Sequence, residues 1–278
     1  MWLRDKVVLI TGGSRGVGEA VAVACAKAGA KLALAAKTME PHPKLPGTLH
    51  TAAANVEAAG GEAMIVQVDV RFEDQVQAMV DAVIERFGRI DVLVNNAGAI
   101  HLGPMRSWTL KKYDLVHDVN VRGSFLCAKA VIPKMREQGG GHILMMSPPI
   151  NPAGGKGKAP YLNSKIGMTL LAQAIDAEEP TIAGHALWPV TAIKTAATVN
   201  NNLGTDEDYR TVDILAEATV ALLDREPTDC VYKDWLDEEV LRELRGVQDF
   251  SAYNVVPGAS PSPWSIQLVD PDWESRGS

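Results

Sequence analysis

The chain has 278 residues, of which 46% are hydrophobic and 22% are charged, an ordinary composition for a globular protein. Its formal net charge of −7 argues against nucleic acid or an anionic membrane as the main partner. Cys25, Cys127 and Cys230 have neither disulfide-type nor metal-type spacing, and no two histidines stand four positions apart, so the sequence predicts no metal site.

Short apolar runs alternate with helical patterns along the first two thirds of the chain. The apolar runs predict buried strands at 6–10, 31–36, 63–68, 92–95, 142–147 and 181–188. Helical periodicity and glycine stops predict helices at 18–28, 49–59, 72–87, 108–120, 123–137 and 161–178. Proline, histidine and lysine are frequent over 38–48, which is predicted to be a loop.

Continuous apolar strands that alternate with helices are typical of a parallel sheet covered on both faces. We therefore expect a Rossmann-type α/β fold in one domain over 1–278: a single doubly wound parallel sheet of about seven strands with helices on both faces. A further helix is predicted at 208–223 and a last strand at 230–236, before an irregular tail over about 246–278.

No targeting segment is predicted. The N-terminal apolar run is too short for a signal peptide, and no stretch approaches the ~18 apolar residues of a membrane span. The C-terminus is not a peroxisomal Ser-Lys-Leu signal. With widely separated cysteines, these features lead us to expect a cytoplasmic protein without a membrane span.

A glycine-rich loop, TGGSRGVG at 11–18, lies between the first predicted strand and the first helix. Gly12 permits a tight turn, Gly16 lets the backbone approach a pyrophosphate, and Gly18 lets the helix pack on the strand. A turn without a ligand is the alternative, which the placement between strand and helix disfavours. The cofactor is expected to contact this loop at Gly12, Ser14, Arg15, Gly16, Val17 and Gly18.

The end of the second predicted strand carries information about the form of the cofactor. NAD-binding units place an acidic residue there, which binds the ribose 2′-hydroxyl. Here the strand ends in Lys37, and Arg15 stands in the glycine loop. Two cations near one ribose favour a 2′-phosphate, so NADP(H) is expected in preference to NAD(H). The alternative is that Lys37 is merely a solvent-exposed strand end.

Tyr161 and Lys165 stand four positions apart on a predicted helix, so both side chains share one face. A tyrosine normally titrates near pH ~10, and a neighbouring ammonium lowers that pKa by stabilising the phenolate. Such a pair is weak evidence alone. It gains weight because Ser147 ends the fifth predicted strand and Asn120 lies in a helical segment upstream.

Together these elements resemble the short-chain dehydrogenase/reductase family. They occur in the family's order between about 6 and 195, namely Thr11-Gly12-x-x-x-Gly16-x-Gly18, Asn95-Asn96-Ala97-Gly98, Asn120, Ser147 and Tyr161-x-x-x-Lys165. A narrower resemblance, to one branch of the family, rests on residues 35–38, 41–48, 147–149, 186–189, 191–197 and 237–241. Some members of that branch carry a lipid-binding extension, which we expect this chain to lack.

The resemblance implies a role for each matching residue. Tyr161 would exchange the substrate proton, Ser147 would hydrogen-bond the reacting oxygen, and Asn120 would hold a water in a proton relay. Lys165 would bind the nicotinamide ribose and lower the pKa of Tyr161. The remaining expected cofactor contacts are Asp69 and Val70 at the adenine, Asn96, Ala97 and Gly98 along its pocket, and Pro189, Ile193 and Thr195 at the nicotinamide.

The implied reaction is hydride transfer between NADP(H) and a carbonyl or a primary or secondary alcohol. The resemblance alone suggests a lipid-like, steroid or terpenoid substrate and a homodimer or homotetramer. A cofactor-binding scaffold or sensor with little turnover is one alternative, which the intact catalytic set argues against. A structural subunit that uses the helices at 108–120 and 123–137 is another, and it is compatible with catalysis.

Two departures from the family pattern bear on the site. The family commonly has Pro-Gly after the sixth strand, where this chain has Pro189-Val190. Valine lacks the conformational freedom of glycine, so the nicotinamide contacts transfer less directly. In addition, Ser147 is followed by Pro148-Pro149, and the segment 152–160 is expected to border the substrate.

Overall fold

The computed structural model describes residues 1–41, 45–150 and 157–267. Its strands are β1 (Val7–Thr11), β2 (Lys31–Ala36), β3 (Glu62–Gln67), β4 (Val92–Asn95), β5 (Gly141–Met146), β6 (Ile182–Trp188), β7 (Ala192–Ile193), β8 (Tyr209–Arg210) and β9 (Asp234–Leu236). A seven-stranded sheet has the order β3-β2-β1-β4-β5-β6-β9, and every neighbouring pair in it is parallel. The short strands β7 and β8 form a separate parallel pair.

Helices cover both faces of the sheet. They are α1 (Gly16–Lys27), α2 (Leu49–Ala58), α3 (Glu73–Phe87), α4 (Leu110–His117), α5 (Gly123–Glu137), α6 (Ala159–Glu178), α7 (Ala196–Asn200), α8 (Asp213–Leu223), α9 (Asp237–Arg245) and α10 (Trp264–Gln267). One core packs α1, α2, α8 and α9 against one face of the sheet. A second core packs α3, α5 and α6 against the other face. The predicted doubly wound α/β fold is confirmed.

Successive side chains along each strand point to opposite faces of the sheet and therefore belong to different cores. Val8 and Ile10 of β1 belong to the first core, whereas Val7 and Leu9 belong to the second. All five residues of β1 are buried. Because both faces are apolar, the strands lack the polar alternation of a sheet with one wet face, which is why continuous apolar runs predicted them correctly.

The structure corrects several predicted boundaries. The helices expected at 108–120 and 123–137 are one continuous path, because a π-helical turn at Asp118–Arg122 joins α4 to α5. The helix expected from 208 begins at Asp213, since β8 and its connection precede it. The strand expected at 230–236 is reduced to β9, which pairs only with the last three residues of β6.

The expected tail is irregular over 246–263 except for a short turn at Ser251–Tyr253, and α10 follows it. It packs on the body through backbone hydrogen bonds, from Thr211 N to Tyr253 O at 2.7 Å and from Val255 N to Tyr209 O at 3.0 Å. The remainder of the predicted tail lies outside the described residues. Within the described residues, no helix combines the length and the apolar character that a membrane crossing requires.

A buried carboxylate joins the central strands at their amino ends. Asp91 is 1% exposed and accepts hydrogen bonds from Val7 N at 2.9 Å and from the Arg89 guanidinium, whose Nε lies 2.9 Å from Oδ2. Its backbone bonds both neighbouring strands, from Asp91 N to Val7 O and from His142 N to Asp91 O, each at 2.9 Å. Asp91 therefore helps to set the positions of β1, β4 and β5 relative to one another.

Replacing this carboxylate tests its contribution to the fold. Asp91→Ala should lower the free energy of unfolding by about 3 kcal/mol, because the Val7 N–H and Arg89 would lose a buried acceptor. Urea denaturation followed by circular dichroism would measure the loss. Asp81→Ala, at an exposed carboxylate on α3 that accepts from Gln77, is the control and should change stability by less than ~0.5 kcal/mol. Equal losses in the two variants would contradict this account.

Candidate active site

A groove of about 1680 Å³ contains most of the residues predicted to bind a cofactor. It runs along the carboxyl ends of the strands, where doubly wound sheets bind their ligands. The predicted residues that line it are Gly12, Ser14, Arg15, Gly16, Val17, Lys37, Asp69, Val70, Asn96, Ala97, Gly98 and Thr195. Five other predicted cofactor contacts do not line it, namely Gly18, Tyr161, Lys165, Pro189 and Ile193.

The glycine loop needs glycine for two different reasons. Gly12 and Gly16 have φ values of +68° and +58°, in the left-handed region that side chains disfavour. Gly18 instead provides space: a Cβ there would lie 2.4 Å from the carbonyl oxygen of Gly12 and 2.5 Å from Nδ2 of Asn96. The loop can therefore pass close under the start of α1, where free N–H groups favour an anion.

Side-chain hydrogen bonds tie this loop to the turn after β4. Asn96 Nδ2 donates to the carbonyl oxygens of Thr11 and Gly12, both at 3.1 Å. The Thr11 hydroxyl accepts from the backbone N–H groups of Asn96 at 3.2 Å and Ala97 at 3.1 Å. This role of Thr11 was not predicted from the sequence, although its place at the end of a buried strand was the available signal.

The cations expected near the cofactor ribose lie at the end of β2. Lys37 Nζ is 3.6 Å from Oδ2 of Asp69, and the Lys37 side chain is 60% exposed. Arg15 Nη2 donates to Gly47 O at 3.0 Å, while its buried Nε has no hydrogen-bond partner among the described residues. A bidentate hydrogen bond from Arg71, more than the charge of Lys37, holds the pKa of Asp69 below its usual value. The loop beyond β2 includes residues 42–44, which lie outside the described residues.

Asn120 lies in the π-helical turn and is fully buried. Its Oδ1 accepts from Ala99 N at 2.8 Å, and its Nδ2 donates to Ala99 O at 3.0 Å and to Ser164 Oγ at 2.9 Å. The Ser164 hydroxyl in turn donates to Tyr161 O at 2.7 Å. Asn120 thus connects the loop after β4 to the first turns of α6. Ser164, which the sequence analysis did not single out, completes that connection.

Gly98 brings Asn120 and Lys165 to one space. A Cβ built on Gly98 would lie 3.5 Å from Asn120 Oδ1 and 3.5 Å from Lys165 Nζ. Both polar groups therefore face the small volume that the missing side chain leaves at the groove. This placement brings together two of the residues predicted to form a proton relay.

Lys165 is buried on α6, with 6% of its surface exposed. Its Nζ donates to Met146 O at 2.9 Å and lies 5.9 Å from the centre of the Trp188 ring. Burial lowers the pKa of Lys165 to about 8. A cation beside a backbone carbonyl at the end of β5 is therefore still mostly charged at neutral pH.

At Tyr161, burial acts on the pKa in the opposite direction to the effect expected of Lys165. Lys165 was predicted to lower the pKa of the phenol, and burial of the phenol raises it, because the charged phenolate loses water. The Lys165 ammonium donates its hydrogen bond to Met146 O. The lowering of the Tyr161 pKa by Lys165 stays a prediction.

Ser147 follows β5 and is fully buried. Its backbone N–H donates to Leu187 O at 3.0 Å, which aligns it with β6. Its hydroxyl has one long contact, 3.5 Å from Met145 O. The loop that follows is attached to α6 by a hydrogen bond of 2.5 Å from Thr169 Oγ1 to Pro148 O. Residues 151–156 of the segment expected to border the substrate lie outside the described residues.

The Pro189-Val190 departure does not strain the backbone. Val190 is not among the residues with positive φ, and it is 2% exposed. Its N–H donates to Asp237 Oδ1 at 3.0 Å. Beyond it, Ile193 is buried in β7, and Thr195 caps α7 by accepting from Thr198 N at 3.3 Å. The chain therefore makes the turn after β6 without glycine.

A buried histidine pair on β5 and β6 lies outside the residues that line the groove. The ligand atoms of His142, His185 and Cys230 lie within 4.8 Å of one another. His142 Nδ1 is 2.9 Å from His185 Nε2, and His142 Nε2 is 2.9 Å from Arg225 O. Hydrogen bonds therefore occupy both ring nitrogens of His142, and they account for the pairing without an ion.

The buried ammonium should make stability depend on pH. Between about pH 8 and the ordinary lysine pKa of 10.5, the unfolded chain binds a proton that folded Lys165 does not. The free energy of unfolding should therefore rise with pH across this window, relative to Lys165→Met. Denaturation at pH 7.5 to 10.5 would measure the difference, with Lys129→Met at an exposed lysine of α5 as control. A flat difference for Lys165→Met would refute the assignment.

A search for solved structures with this fold finds proteins with nicotinamide cofactors. An alcohol dehydrogenase from Thermococcus sibiricus, complexed with 5-hydroxy-NADP, is 26% identical with a TM-score of 0.73 and covers 84% of this chain and 96% of its own. Carveol dehydrogenase from Mycobacterium avium, in complex with NAD, is 24% identical with a TM-score of 0.73 and covers 83% and 95%. The second likeness concerns the fold alone.

Two proteins are more similar. A putative dehydrogenase from Xanthomonas campestris is 41% identical with a TM-score of 0.89 and covers 95% of this chain and 98% of its own. Hydroxysteroid dehydrogenase-like protein 2 from Xenopus tropicalis is 44% identical over 260 residues, which are 92% of this chain. The chain spans 62% of that relative's length. This protein represents the branch that the narrower resemblance predicted, so that prediction is confirmed.

The family model for short chain dehydrogenases matches residues 6–203, in agreement with the range over which the motifs occur. Because it covers most of the chain, this match shows that the chain belongs to the short-chain dehydrogenase family.

Proposed function

We propose that this chain transfers a hydride between NADP(H) and a carbonyl or alcohol substrate. The observation that carries the proposal is that Lys165 Nζ and Asn120 Oδ1 both lie close to Gly98, a residue that lines the same groove as the glycine loop. Tyr161 stands on the same helix as Lys165, one turn away. This arrangement suits acid–base catalysis beside a bound dinucleotide.

Different residues of the chain bind the cofactor and act on the substrate. When bound, the cofactor supplies or accepts the hydride. The glycine loop and the N-terminus of α1 hold the negatively charged pyrophosphate. Lys165 places a positive charge beside the reacting centre, and the Ser147 hydroxyl donates a hydrogen bond to the substrate oxygen. Tyr161 is a neutral phenol at neutral pH, as tyrosine ordinarily is, and it donates the proton that carbonyl reduction requires.

Arg15 and Lys37 support NADP(H) over NAD(H). Both line the groove near the end of β2, and no acidic residue ends that strand. Asp69 lies nearby, but Arg71 already binds it through two hydrogen bonds, which reduces its repulsion of a phosphate. Arg15 Nε is buried without a partner among the described residues, so a 2′-phosphate would satisfy it.

The substrate class, the assembly and the location are further parts of the proposal. Apolar Leu115 and Val119 border the groove, which suits a lipid-like, steroid or terpenoid substrate. Exposed apolar side chains on α4 and α5, including Phe125 at 47% exposed, support a homodimer or homotetramer. Free, buried Cys25 and Cys127 support the expected cytoplasmic location.

Removing the phenol tests the reaction. Tyr161→Phe should lower kcat about 10³-fold, because the substrate oxygen loses its proton donor. NADPH binding should stay within about twofold of the unmodified chain, since the ring remains. NADPH absorbance across a panel of aldehydes and ketones would measure turnover, and calorimetry would measure binding. Tyr253→Phe, at a phenol that donates to Glu217, is the matched control.

Assays of the unmodified chain distinguish the proposed enzyme from the remaining alternative, a cofactor-binding scaffold or sensor. If it binds NADPH but turns over no member of the panel of aldehydes, ketones and alcohols, the scaffold or sensor function replaces the enzymatic one. If Tyr161→Phe keeps the turnover of the unmodified chain, the proton donor is assigned wrongly.

The preference for NADP(H) over NAD(H) is tested at the two cations, Arg15 and Lys37. Arg15→Ala and Lys37→Ala should each raise the KM for NADPH about tenfold and leave that for NADH nearly unchanged, because only the 2′-phosphate contacts them. Lys31→Ala, at the opposite end of the same strand β2, is the matched control. Steady-state kinetics with both cofactors would decide. Equal use of NADH and NADPH by the unmodified chain would overturn the preference.

A further inference from the structure

The pairing of β6 with β9 ends just before the turn 189–195, whose last residue, Thr195, lines the groove. The last pair is Trp188 with Leu236. Pro189 comes next and has no N–H with which to extend the ladder. The buried Val190 N–H therefore needs another acceptor, and it finds one in the side chain of Asp237, 3.0 Å away.

Asp237 is a fully buried carboxylate at the first position of α9. Its Oδ1 accepts from Val190 N at 3.0 Å and from Glu238 N at 2.8 Å, while its buried Oδ2 has no partner among the described residues. Burial, with a smaller contribution from Glu238, raises the pKa of Asp237 to about 7, although the hydrogen bond from Val190 N and the charge of Arg210 oppose the rise. Burying a carboxylate lowers the stability of the fold, and this indicates that Asp237 serves a specific contact.

The contact reaches the catalytic tyrosine through packing. Val190, Leu236 and Leu162 form a small apolar cluster, against which Tyr161 and Trp188 pack. Val190 supplies this cluster with a side chain that the usual glycine could not. The turn after β6 is thus held from two sides, by the Asp237 hydrogen bond to its backbone and by the cluster around its side chain.

We propose that Asp237 is a positioning residue, whose carboxylate holds the turn 189–195 so that the nicotinamide half of a bound cofactor meets Tyr161. The inference rests on the proposed function and on the expectation that Pro189, Ile193 and Thr195 contact the nicotinamide. Asp237 contacts neither Arg15 nor Lys37, the two cations proposed to bind at the ribose. In the sheet, β1, β4 and β5 separate β2 from β6, so the adenine half should not depend on it.

Three variants test the contact. Asp237→Ala removes the acceptor, whereas Asp237→Asn keeps an oxygen that can accept from Val190 N. Asp176→Ala is the matched control, because Asp176 Oδ1 accepts from Gly184 N at 3.1 Å, within the same strand β6 but further from the groove. All three remove a buried or half-buried carboxylate, so a general loss of stability would affect Asp176→Ala as well.

Hydrogen exchange of the protein alone is the first readout. Peptides that cover residues 189–195 should exchange faster in Asp237→Ala, and at the rate of the unmodified chain in Asp237→Asn and Asp176→Ala. Calorimetry is the second. Asp237→Ala should bind NADPH about tenfold more weakly and 2′,5′-ADP, the adenine half, within about twofold of the unmodified chain. Its kcat should fall as well, and Asp237→Asn should restore both values.

The outcomes separate this inference from the proposed function. If Asp237→Ala exchanges and binds NADPH like the unmodified chain, or if Asp176→Ala shows the same losses, the positioning role is wrong. If the unmodified chain binds neither NADPH nor NADH, the proposed function fails, while the exchange result still decides whether Asp237 holds the turn. If Asp237→Ala does not fold, Asp237→Glu, which displaces the carboxylate, should show the same selective loss of NADPH binding.

Discussion

Burial of the central sheet on both faces is the constraint on which the rest of the molecule depends. Every residue of β1, β4 and β5 is buried, so these strands have no solvent-facing side on which to carry chemistry. Polar groups are confined to the strand ends. At the carboxyl ends, Thr11, Asn95 and Ser147 stand where three neighbouring strands finish, and the groove opens beside them.

One kind of hydrogen bond recurs at this edge of the sheet. A buried side chain binds the backbone of a neighbouring loop in three places: Thr11 at the turn after β4, Asn120 at Ala99, and Asp237 at Val190. Each hydrogen bond satisfies a backbone group that the ladder cannot pair. The loops that would surround a cofactor are therefore held by specific side chains, and a rigid edge is what a reaction between two bound molecules requires.

Burial also shifts the pKa values of Lys165 and Tyr161. It lowers the pKa of Lys165 to about 8 and raises that of Tyr161, because both charged forms lose water. The Lys165 ammonium donates its hydrogen bond to Met146 O. Near neutral pH, a mostly charged amine and a neutral phenol therefore stand one turn apart on α6.

The sequence by itself determined the layered arrangement of helices on a sheet, the order of strands and helices along the chain, and most of the candidate site. Apolar runs and glycine stops are local signals, and the glycine loop, Asn120, Ser147, Tyr161 and Lys165 stand in motifs of fixed spacing. Only the tertiary structure decided the π-helical turn, the partner of Lys165 and the hydrogen bond from Val190 N to Asp237. Val190 and Asp237 are far apart in the chain, and whether one accepts a hydrogen bond from the other depends on how β6 and β9 pair, which no local pattern encodes.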